Sequence, residues 1–427
     1  MAFTDHPLRA RVVSEMHMRR MPSLVAPTLM IQVVRLVDPL EREQERIQAT
    51  KLPGVARHNL IERNRHIGAH RGDGVEFLWE RHSEATTATV IIPDRADNPL
   101  EPQPSDAAVL AWLAGLPGGV IRAVQIIIAR DEKIAADLAT KLDFSPTDLV
   151  SCMIGGARIW SDFLVRGDNF GRLLINPSDV MPLDLGRLVQ NLQEMGNYRN
   201  LALLGLPLAQ QEAPTVAALE DQLVKITARM ALGEGDTALL DQLCDLAADV
   251  QSIIARTAYR LSATAAYAQI VQDRLGALAA TSIPGYQTLE EFNDRRFLPA
   301  MRTCASFSMR LEALSVQIER ATSLLRTRVE MTLQMQNSDL LRSMDDNAAR
   351  QLRLQHVVEG LSVVAVSYYA VGLSSYLVKA AAPLIGVPYE LAIAGIVAPV
   401  VGLVALYLRW RVRQISHVDI APEGTEP

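Results

Sequence analysis

The stretch of residues 300–377 contains no proline and only two glycines, Gly360 and Gly372. Proline and glycine are the residues that most often interrupt a helix, so this stretch predicts one very long helix. In its first part, apolar residues recur at heptad spacing between arginines and glutamates, which is typical of a coiled coil that packs on other helices in water. The heptad positions are Leu311, Leu314, Ile318, Ala321, Leu325, Thr332 and Met335.

The charges stop after Glu359, and residues 360–377 hold no ionised side chain. At a rise of about 1.5 Å per residue, a helix of this length is roughly as long as a bilayer core is thick. A short turn with two prolines follows Lys379, and a second uncharged run occupies residues 391–408. The sequence therefore predicts a two-helix transmembrane hairpin. The expected segments are a first span at 356–378, an outer loop at 379–390, a second span at 391–409 and a basic, then disordered, tail at 410–427.

Basic residues near the spans determine the expected orientation of the hairpin. Arginines precede the first span and follow the second, whereas only Lys379 lies between the two spans. Because basic residues stay on the cytoplasmic side, we expect both termini in the cytoplasm and the hairpin in the inner (cytoplasmic) membrane. The alternative is that both runs are buried core helices of a soluble protein. Tyr407 and Trp410 argue against it, since these residue types favour membrane interfaces.

Composition limits the compartment and the partners. The N-terminal sequence lacks the apolar core of a secretory signal, so the part ahead of the hairpin is expected to stay in the cytoplasm. A formal net charge of -6 provides no basic field for a phosphate backbone, and nucleic acid is therefore not an expected partner. Three widely separated cysteines, Cys152, Cys244 and Cys304, suit a reducing compartment better than a disulfide framework.

Short apolar runs alternate with helical segments in the first 182 residues. Runs rich in β-branched residues predict strands, and the clearest buried strand is at residues 120–129. The other expected strands lie within 28–37, 75–92, 153–165 and 171–175, and the expected helices are at 106–116 and 131–142. This alternation predicts a cytoplasmic α/β domain over residues 1–182.

Beyond residue 182 the strand pattern stops, and helical segments follow at 183–206, 216–232 and 236–280. Long helices joined by tight turns run antiparallel, so residues 183–355 predict an elongated helical bundle, or stalk. The expected fold class is therefore α+β, with an N-terminal α/β domain, a long antiparallel helical stalk and a C-terminal two-helix transmembrane hairpin.

Several separated motifs carry a resemblance that extends over nearly the whole chain. They are His6-Pro7-Leu8-Arg9, Glu15-Met16-His17-Met18-Arg19, Trp79-Glu80-Arg81-His82-Ser83-Glu84, Tyr198-Arg199-Asn200-Leu201-Ala202-Leu203-Leu204-Gly205-Leu206-Pro207, Glu359-Gly360-Leu361-Ser362 and Ser367-Tyr368-Tyr369. In this order they resemble a family of bacterial membrane-anchored proteins that is defined only as a domain of unknown function. The resemblance implies a membrane anchor and brings no established activity with it.

The expected architecture also resembles that of the CorA-type divalent-cation transporters. In those proteins a cytoplasmic α/β domain and long helices lead into two spans, and the resemblance implies a homopentameric channel lined by the first span. Their Tyr-Gly-Met-Asn motif at the outer end of that span is absent from this sequence, which has Tyr369-Ala370-Val371-Gly372-Leu373-Ser374 at the corresponding place. Divalent cations are expected partners only under this alternative.

The first span carries one group of candidate functional residues, which are small or polar. They are Glu359, Gly360, Ser367, Gly372 and Ser374. Hydroxyl groups on such a face can replace part of an ion's hydration shell in a pore. Small residues can equally let two helices approach closely in lipid, so the face is a candidate for either pore lining or helix packing.

A second group of candidates lies in the N-terminal part and consists of two pairs of imidazole and carboxylate side chains. Glu15 with His17, and His82 with Glu84, have the spacing at which an extended chain directs both side chains to one side. Histidine and carboxylate are ligands for divalent metals, so each pair is a candidate metal site. The alternative is that these side chains are solvated, or satisfied by neighbours in the fold.

The sequence contains no glycine-rich phosphate loop, no nucleophile elbow and no cysteine beside a base, so we expect no enzymatic activity and no cofactor. We expect an oligomeric scaffold or interaction protein, anchored in the lipid bilayer and assembled as a homo-oligomer around the long helix. The alternative is a CorA-like divalent-cation channel or transporter lined by the first span. The outer loop favours the scaffold, because it holds one lysine and one glutamate where cation channels concentrate acids.

Overall fold

The computed structural model describes residues 5–16, 22–63, 65–95, 103–386 and 388–416. The fold is α+β, which confirms the class predicted from the sequence. The strands are β1 (Thr28–Leu36), β2 (Leu60–Arg63), β3 (His66–His70), β4 (Glu76–Arg81), β5 (Ala85–Pro93), β6 (Gly119–Ile128), β7 (Val150–Ile154), β8 (Ala157–Ser161), β9 (Gly171–Asn176) and β10 (Thr281–Ser282). The α-helices are α1 (Arg9–Met16), α2 (Arg42–Ala49), α3 (Pro104–Gly115), α4 (Glu132–Lys141), α5 (Pro182–Leu203), α6 (Gly205–Leu232), α7 (Asp236–Leu278), α8 (Leu289–Ile385) and α9 (Tyr389–Ser416).

The chain divides into two compact units, Met1–Ser323 and Leu324–Pro427. A single ten-stranded sheet lies in the first unit, with the strand order β10-β7-β8-β9-β6-β1-β5-β4-β3-β2. Neighbouring strands are antiparallel, except for the parallel pair of β6 and β9. The run at 153–165, predicted as strand, is divided by a turn at Gly155 and Gly156, which both have positive φ and which lead β7 directly into β8.

Both faces of the sheet are covered, as the central strand β1 demonstrates. Its side chains alternate between the faces because the period of a strand is two residues. Leu29 and Ile31 belong to a hydrophobic cluster with residues of α3 and α4, whereas Met30 belongs to a second cluster with residues of α5. Gln32 has the same parity as Met30 and therefore lies on the α5 face of the sheet.

Helices α5 and α6 are separated by one residue, Leu204, whose backbone is itself in the right-handed helical region. Pro207 lies in the first turn of α6, where its missing N–H removes no hydrogen bond. A Cβ atom on Gly205 would lie 2.3 Å from Oγ1 of Thr264 in α7. The same hydroxyl donates to the carbonyl oxygen of Ala202 at 3.0 Å. Only glycine therefore fits this close approach of α7.

Helix α8 begins at Leu289, earlier than the predicted start, and it contains Pro299. The heptad positions of this helix differ in burial along its length. Those that are buried are Leu311, Leu314, Ile318, Ala321 and Leu325, and those that are exposed are Thr332 and Met335. Beyond Val329, which is half-buried, the large apolar side chains of the helix stay exposed as far as Val358.

The second unit contains two helical segments that are long and apolar enough to cross a membrane. In the most apolar window of α8 only 6% is buried, and in that of α9 0% is buried. The turn between α8 and α9 includes Gly386, which has a positive φ. Helix α9 extends to Ser416, and residues 417–427 of the predicted disordered tail lie outside the described residues.

Candidate functional site

The structure gives Glu84 a structural partner. The carboxylate, which lies in the turn between β4 and β5, accepts two hydrogen bonds from Arg260 of α7, at 2.7 Å from Nη1 and 2.6 Å from Nη2. Tyr267 of the same helix also contacts this carboxylate through its hydroxyl, and burial raises the pKa of that tyrosine. Glu84 therefore joins the sheet to α7.

The other metal candidates are not brought together with Glu84. His82 has Nε2 at 3.4 Å from Oγ1 of Thr87, and its ring stands edge-on to Tyr198 with the ring centroids 6.3 Å apart. Glu15 lies in α1, and His17 lies outside the described residues. Within the described ranges, no three His, Cys, Asp or Glu side chains form a group that could hold a metal ion.

The candidate face of the first span divides into covered and exposed positions. Ser367 is 5% exposed and Ser374 is half-buried, whereas a Cβ atom on Gly360 or Gly372 would enter open space. Glu359 has Oε2 at 3.6 Å from Nδ1 of His356, one turn earlier on α8. Ser367 is thus covered within one chain and Ser374 partly so, while the two glycines remain available to another chain.

A layer of polar side chains lies between the sheet and α5, inside an otherwise apolar interface. Gln32 of β1 donates through Nε2 to Oγ1 of Thr89 at 3.1 Å and to Oε1 of Gln193 at 2.8 Å. Arg122 of β6 donates through Nη1 to Oε1 of Gln32 at 3.0 Å and to Oδ1 of Asn197 at 2.8 Å. Buried polar groups need such partners, so the network fixes the position of α5 on the sheet.

The guanidinium of Arg122 fits this layer because α5 has no side chain at Gly196. A Cβ atom there would lie 2.8 Å from Nη2 and 3.0 Å from Nε of Arg122. The hydrogen-bond acceptors of Arg122 are neutral amides, which do not neutralise its charge. Burial, and to a smaller extent the positive charge of Arg199, lower the pKa of Arg122 to about 9.

A second guanidinium, that of Arg199 on α5, lines the same cavity as Arg122. Arg199 is 8% exposed, and its Nη1 is buried with no hydrogen-bond partner in the described part of the chain. Its Cζ lies 4.3 Å from the ring centroid of Phe163 and 5.8 Å from that of Phe292. Burial lowers the pKa of Arg199 to about 10. The aromatic rings orient this cation without supplying a counter-ion.

The cavity between these two arginines has a volume of ≈ 90 Å³. It is also lined by Ser161, Arg172 and Asn200, and by Val165, which is 71% exposed, so the cavity reaches the surface. Arg172 has its own counter-ion in Asp168. Across the residues that the structure describes, no carboxylate lies within ion-pair distance of Arg122 or Arg199. We call this cavity the arginine cavity.

A second cavity of ≈ 50 Å³ lies on the β4 and β5 side of Gln32, and acidic residues line it. Glu194 of α5 is ion-paired with Arg274 of α7 at 2.7 Å, and Glu80 has Oε1 at 3.5 Å from Nδ1 of His66. These acids have basic neighbours, so this cavity lacks the unbalanced charge of the arginine cavity.

The residues that line the arginine cavity were not among the candidates predicted from the sequence, although the sequence contains a signal for one of them, Arg122, and for its hydrogen-bond partner Gln32. Gln32 and Arg122 are polar residues inside the apolar runs that became β1 and β6. A polar residue in a strand buried on both faces needs a buried hydrogen-bond partner, so its presence in such a run predicts a buried polar network. Arg199 belongs to the Tyr198–Pro207 motif, but its aromatic partner Phe163 is far away in the sequence.

Comparison with known proteins identifies the family of this chain but assigns it no activity. No curated protein matches the chain. The sequence does match a family described as protein of unknown function (DUF3422), and the match covers residues 4–415. This span includes the sheet, the arginine cavity and both apolar helices. The chain therefore belongs to the DUF3422 family.

Proposed function

We propose that the protein is an oligomeric scaffold or interaction protein anchored in the inner (cytoplasmic) membrane by two spans, with both termini in the cytoplasm. The observation that carries the proposal is the exposure of its two apolar segments, of which 6% in α8 and 0% in α9 are buried within the chain. A core helix of a soluble protein would be largely buried. Exposed uncharged helices of this length need lipid around them.

Hydroxyl groups in the apolar part of α8 are compatible with a lipid environment. Ser362 donates to the carbonyl oxygen of Val358 at 2.8 Å, Ser374 to that of Ala370 at 2.8 Å, and Ser375 to that of Gly372 at 2.6 Å. A hydroxyl that is satisfied by its own helix needs no water. The alternative is a CorA-like divalent-cation channel, in which the same hydroxyls would still offer their oxygen lone pairs to an ion.

Exposed apolar residues in the middle of α8 support assembly with further copies. They are Met331, Leu333, Leu340, Leu341, Met344, Leu352, Leu354 and Val357, all more than half exposed. Helices gain most of their stability in water from packing an apolar face. We propose that copies of α8 cover these side chains in a homo-oligomer, which would also bring the exposed Gly360 and Gly372 of neighbouring chains together.

Reporter fusions test the anchor. A reporter fused after Pro427 should report a cytoplasmic location, and a reporter inserted beside Gly386 should report the opposite side. The unmodified protein should also stay in the membrane pellet after extraction at alkaline pH, since only lipid-embedded helices resist it. A C-terminal reporter found outside the cytoplasm, or release of the protein by alkali, would refute the hairpin.

The mass of the detergent-solubilised protein tests the assembly. Gly360→Leu combined with Gly372→Leu should lower the oligomer mass, because each new side chain enters space that is open within one chain. Gly395→Leu on α9, which also enters open space, is the matched control and should leave the mass unchanged. A monomeric wild type would refute the oligomer. Cation flux through the protein in vesicles would select the channel alternative over the scaffold.

A further inference from the structure

The arginine cavity contains a charge imbalance that the fold does not correct. Arg122 and Arg199 both line it, and within the described ranges their partners are the neutral amide oxygens of Gln32 and Asn197 and the ring of Phe163. A buried cation without a counter-ion is costly, and two that face one cavity repel each other. Folds seldom keep such a pair unless an anion neutralises it.

We propose that the arginine cavity is a binding site for a phosphate group, either as inorganic phosphate or as a phosphate monoester. Two guanidinium groups match a phosphate dianion in charge, and their planar N–H donors match its oxygens in geometry. The guanidinium of Arg199, which lines the cavity and whose Nη1 has no hydrogen-bond partner among the described residues, is the group that this ligand would engage.

The other lining groups explain why charge dominates the recognition. The hydroxyl of Ser161 donates to the carbonyl oxygen of Arg172 at 2.7 Å, and the amide of Asn200 donates to the carbonyl oxygen of Ile121 at 3.1 Å. The Ser161 hydroxyl and one N–H of Asn200 are thus already used within the protein, and neither group carries a charge. A monocarboxylate would therefore balance only one of the two cations, whereas a phosphate balances both.

The cavity volume limits the ligand to a compact group. At ≈ 90 Å³ it is much smaller than the pockets of about 300–1,000 Å³ that bind drug-sized molecules. Because the cavity reaches the surface beside Val165, a substituent on the phosphate could extend into solvent. Both a free phosphate and the phosphate end of a larger molecule are therefore compatible with the site.

The thermal unfolding of the full-length protein in detergent tests this proposal. Inorganic phosphate at about 100 times its Kd should raise Tm by about 5 °C relative to sodium chloride of equal ionic strength. Sodium acetate, a monoanion, should give no such rise. Titration with glycerol phosphate distinguishes the sources, because tighter binding than that of inorganic phosphate identifies a monoester. Equal Tm values in phosphate and in chloride would overturn the proposal.

Substitutions locate the site. Arg199→Met keeps an apolar side chain against Phe163 and should weaken phosphate binding about tenfold or more, with loss of the Tm rise. Arg122→Gln is the second variant, in case Arg199→Met does not fold by circular dichroism. Arg187→Gln is the matched control, because Arg187 lies on the same helix with its side chain 68% exposed. A full phosphate response in both cavity variants would overturn the assignment.

Discussion

Glu84 and Arg260 lie 176 residues apart in the sequence and form a bidentate ion pair, with N–O distances of 2.7 Å and 2.6 Å. The side chain of Glu84 is 8% exposed and that of Arg260 is 22% exposed, so water screens the pair only weakly. The pair connects the β4–β5 turn to the middle of α7. Glu84 therefore has a structural role, although the sequence alone made it a candidate metal ligand.

Arg260→Met should lower the free energy of unfolding by about 3 kcal/mol, because the Glu84 carboxylate then stays buried without its cation. Adding Glu84→Gln to that variant should recover part of the loss. Chemical denaturation of the single and double variants measures the coupling. Arg256→Met is the control, since its ion pair with Glu212 has a 52% exposed arginine and should contribute less than about 1 kcal/mol. Additive losses would contradict the pairing.

Replacing two helical glycines by alanine should change the free energy of unfolding in opposite directions. Gly205→Ala places a methyl group 2.3 Å from Oγ1 of Thr264 and should destabilise the first unit by about 1–3 kcal/mol. Gly276→Ala in α7 meets no atom within 4 Å and should stabilise it by about 0.5–1 kcal/mol through helix propensity. Thermal unfolding of both variants checks the signs, and a stabilised Gly205→Ala protein would contradict the close packing.

The stability of the protein should depend on pH through Arg122. Its pKa is about 9 in the folded protein and lies below the unfolded value of 12.5, so the unfolded state binds more protons between these values. Stability should therefore rise with pH above about 9, by at most about 1.4 kcal/mol per pH unit from this group, and this gain is lost as the pH falls through 9.

The measurement for Arg122 compares wild type with Arg122→Gln in phosphate-free buffers between pH 8 and 10.5. The Tm of wild type should rise relative to that of the variant as the pH increases. Arg187→Gln, with its exposed arginine, should follow the wild type throughout. Parallel pH profiles for wild type and Arg122→Gln would show that the guanidinium keeps its proton over this range.

Gly196→Ala should displace Arg122 without removing any charge. The new methyl group would lie 2.8 Å from Nη2 of the arginine, and the hydrogen bonds to Gln32 and Asn197 should weaken as the guanidinium moves. We expect a lower Tm and a smaller response to phosphate, both measured by thermal unfolding. A variant with wild-type values for both would mean that the guanidinium can be accommodated elsewhere.

The fold class could be predicted because its signals are local. Runs rich in β-branched residues indicated β1, β5 and β6, and the proline-free stretch at 300–377 indicated most of the long helix α8. The missed strands β2 and β3 contain polar residues such as Glu62 and His66, and their strand structure depends on pairing with β4. Two consecutive glycines, Gly155 and Gly156, are by contrast a local turn signal, and they do lie in the turn between β7 and β8.

The arginine cavity could not be predicted, since its residues come from distant parts of the chain. Arg122 lies in β6, Ser161 in β8 and Arg199 in α5, and the sequence contains no feature that connects them. The metal candidates show the converse: His82 and Glu84 are close in sequence, but their side chains have different partners. Glu84 points to Arg260, while His82 contacts Thr87 and Tyr198.

The hydrogen bond between Gln32 and Gln193 spans 161 residues, and β1, at the centre of the sheet, pairs with partners that are synthesised after it. Contacts of such large sequence separation are reached late, since a long loop must close before they form. The first unit should therefore fold slowly, because β1 can complete its contacts only after β5, β6 and finally α5 have been synthesised. Until α5 docks, the apolar α5 face of the sheet is open to solvent, which makes this stage of folding the one most exposed to aggregation.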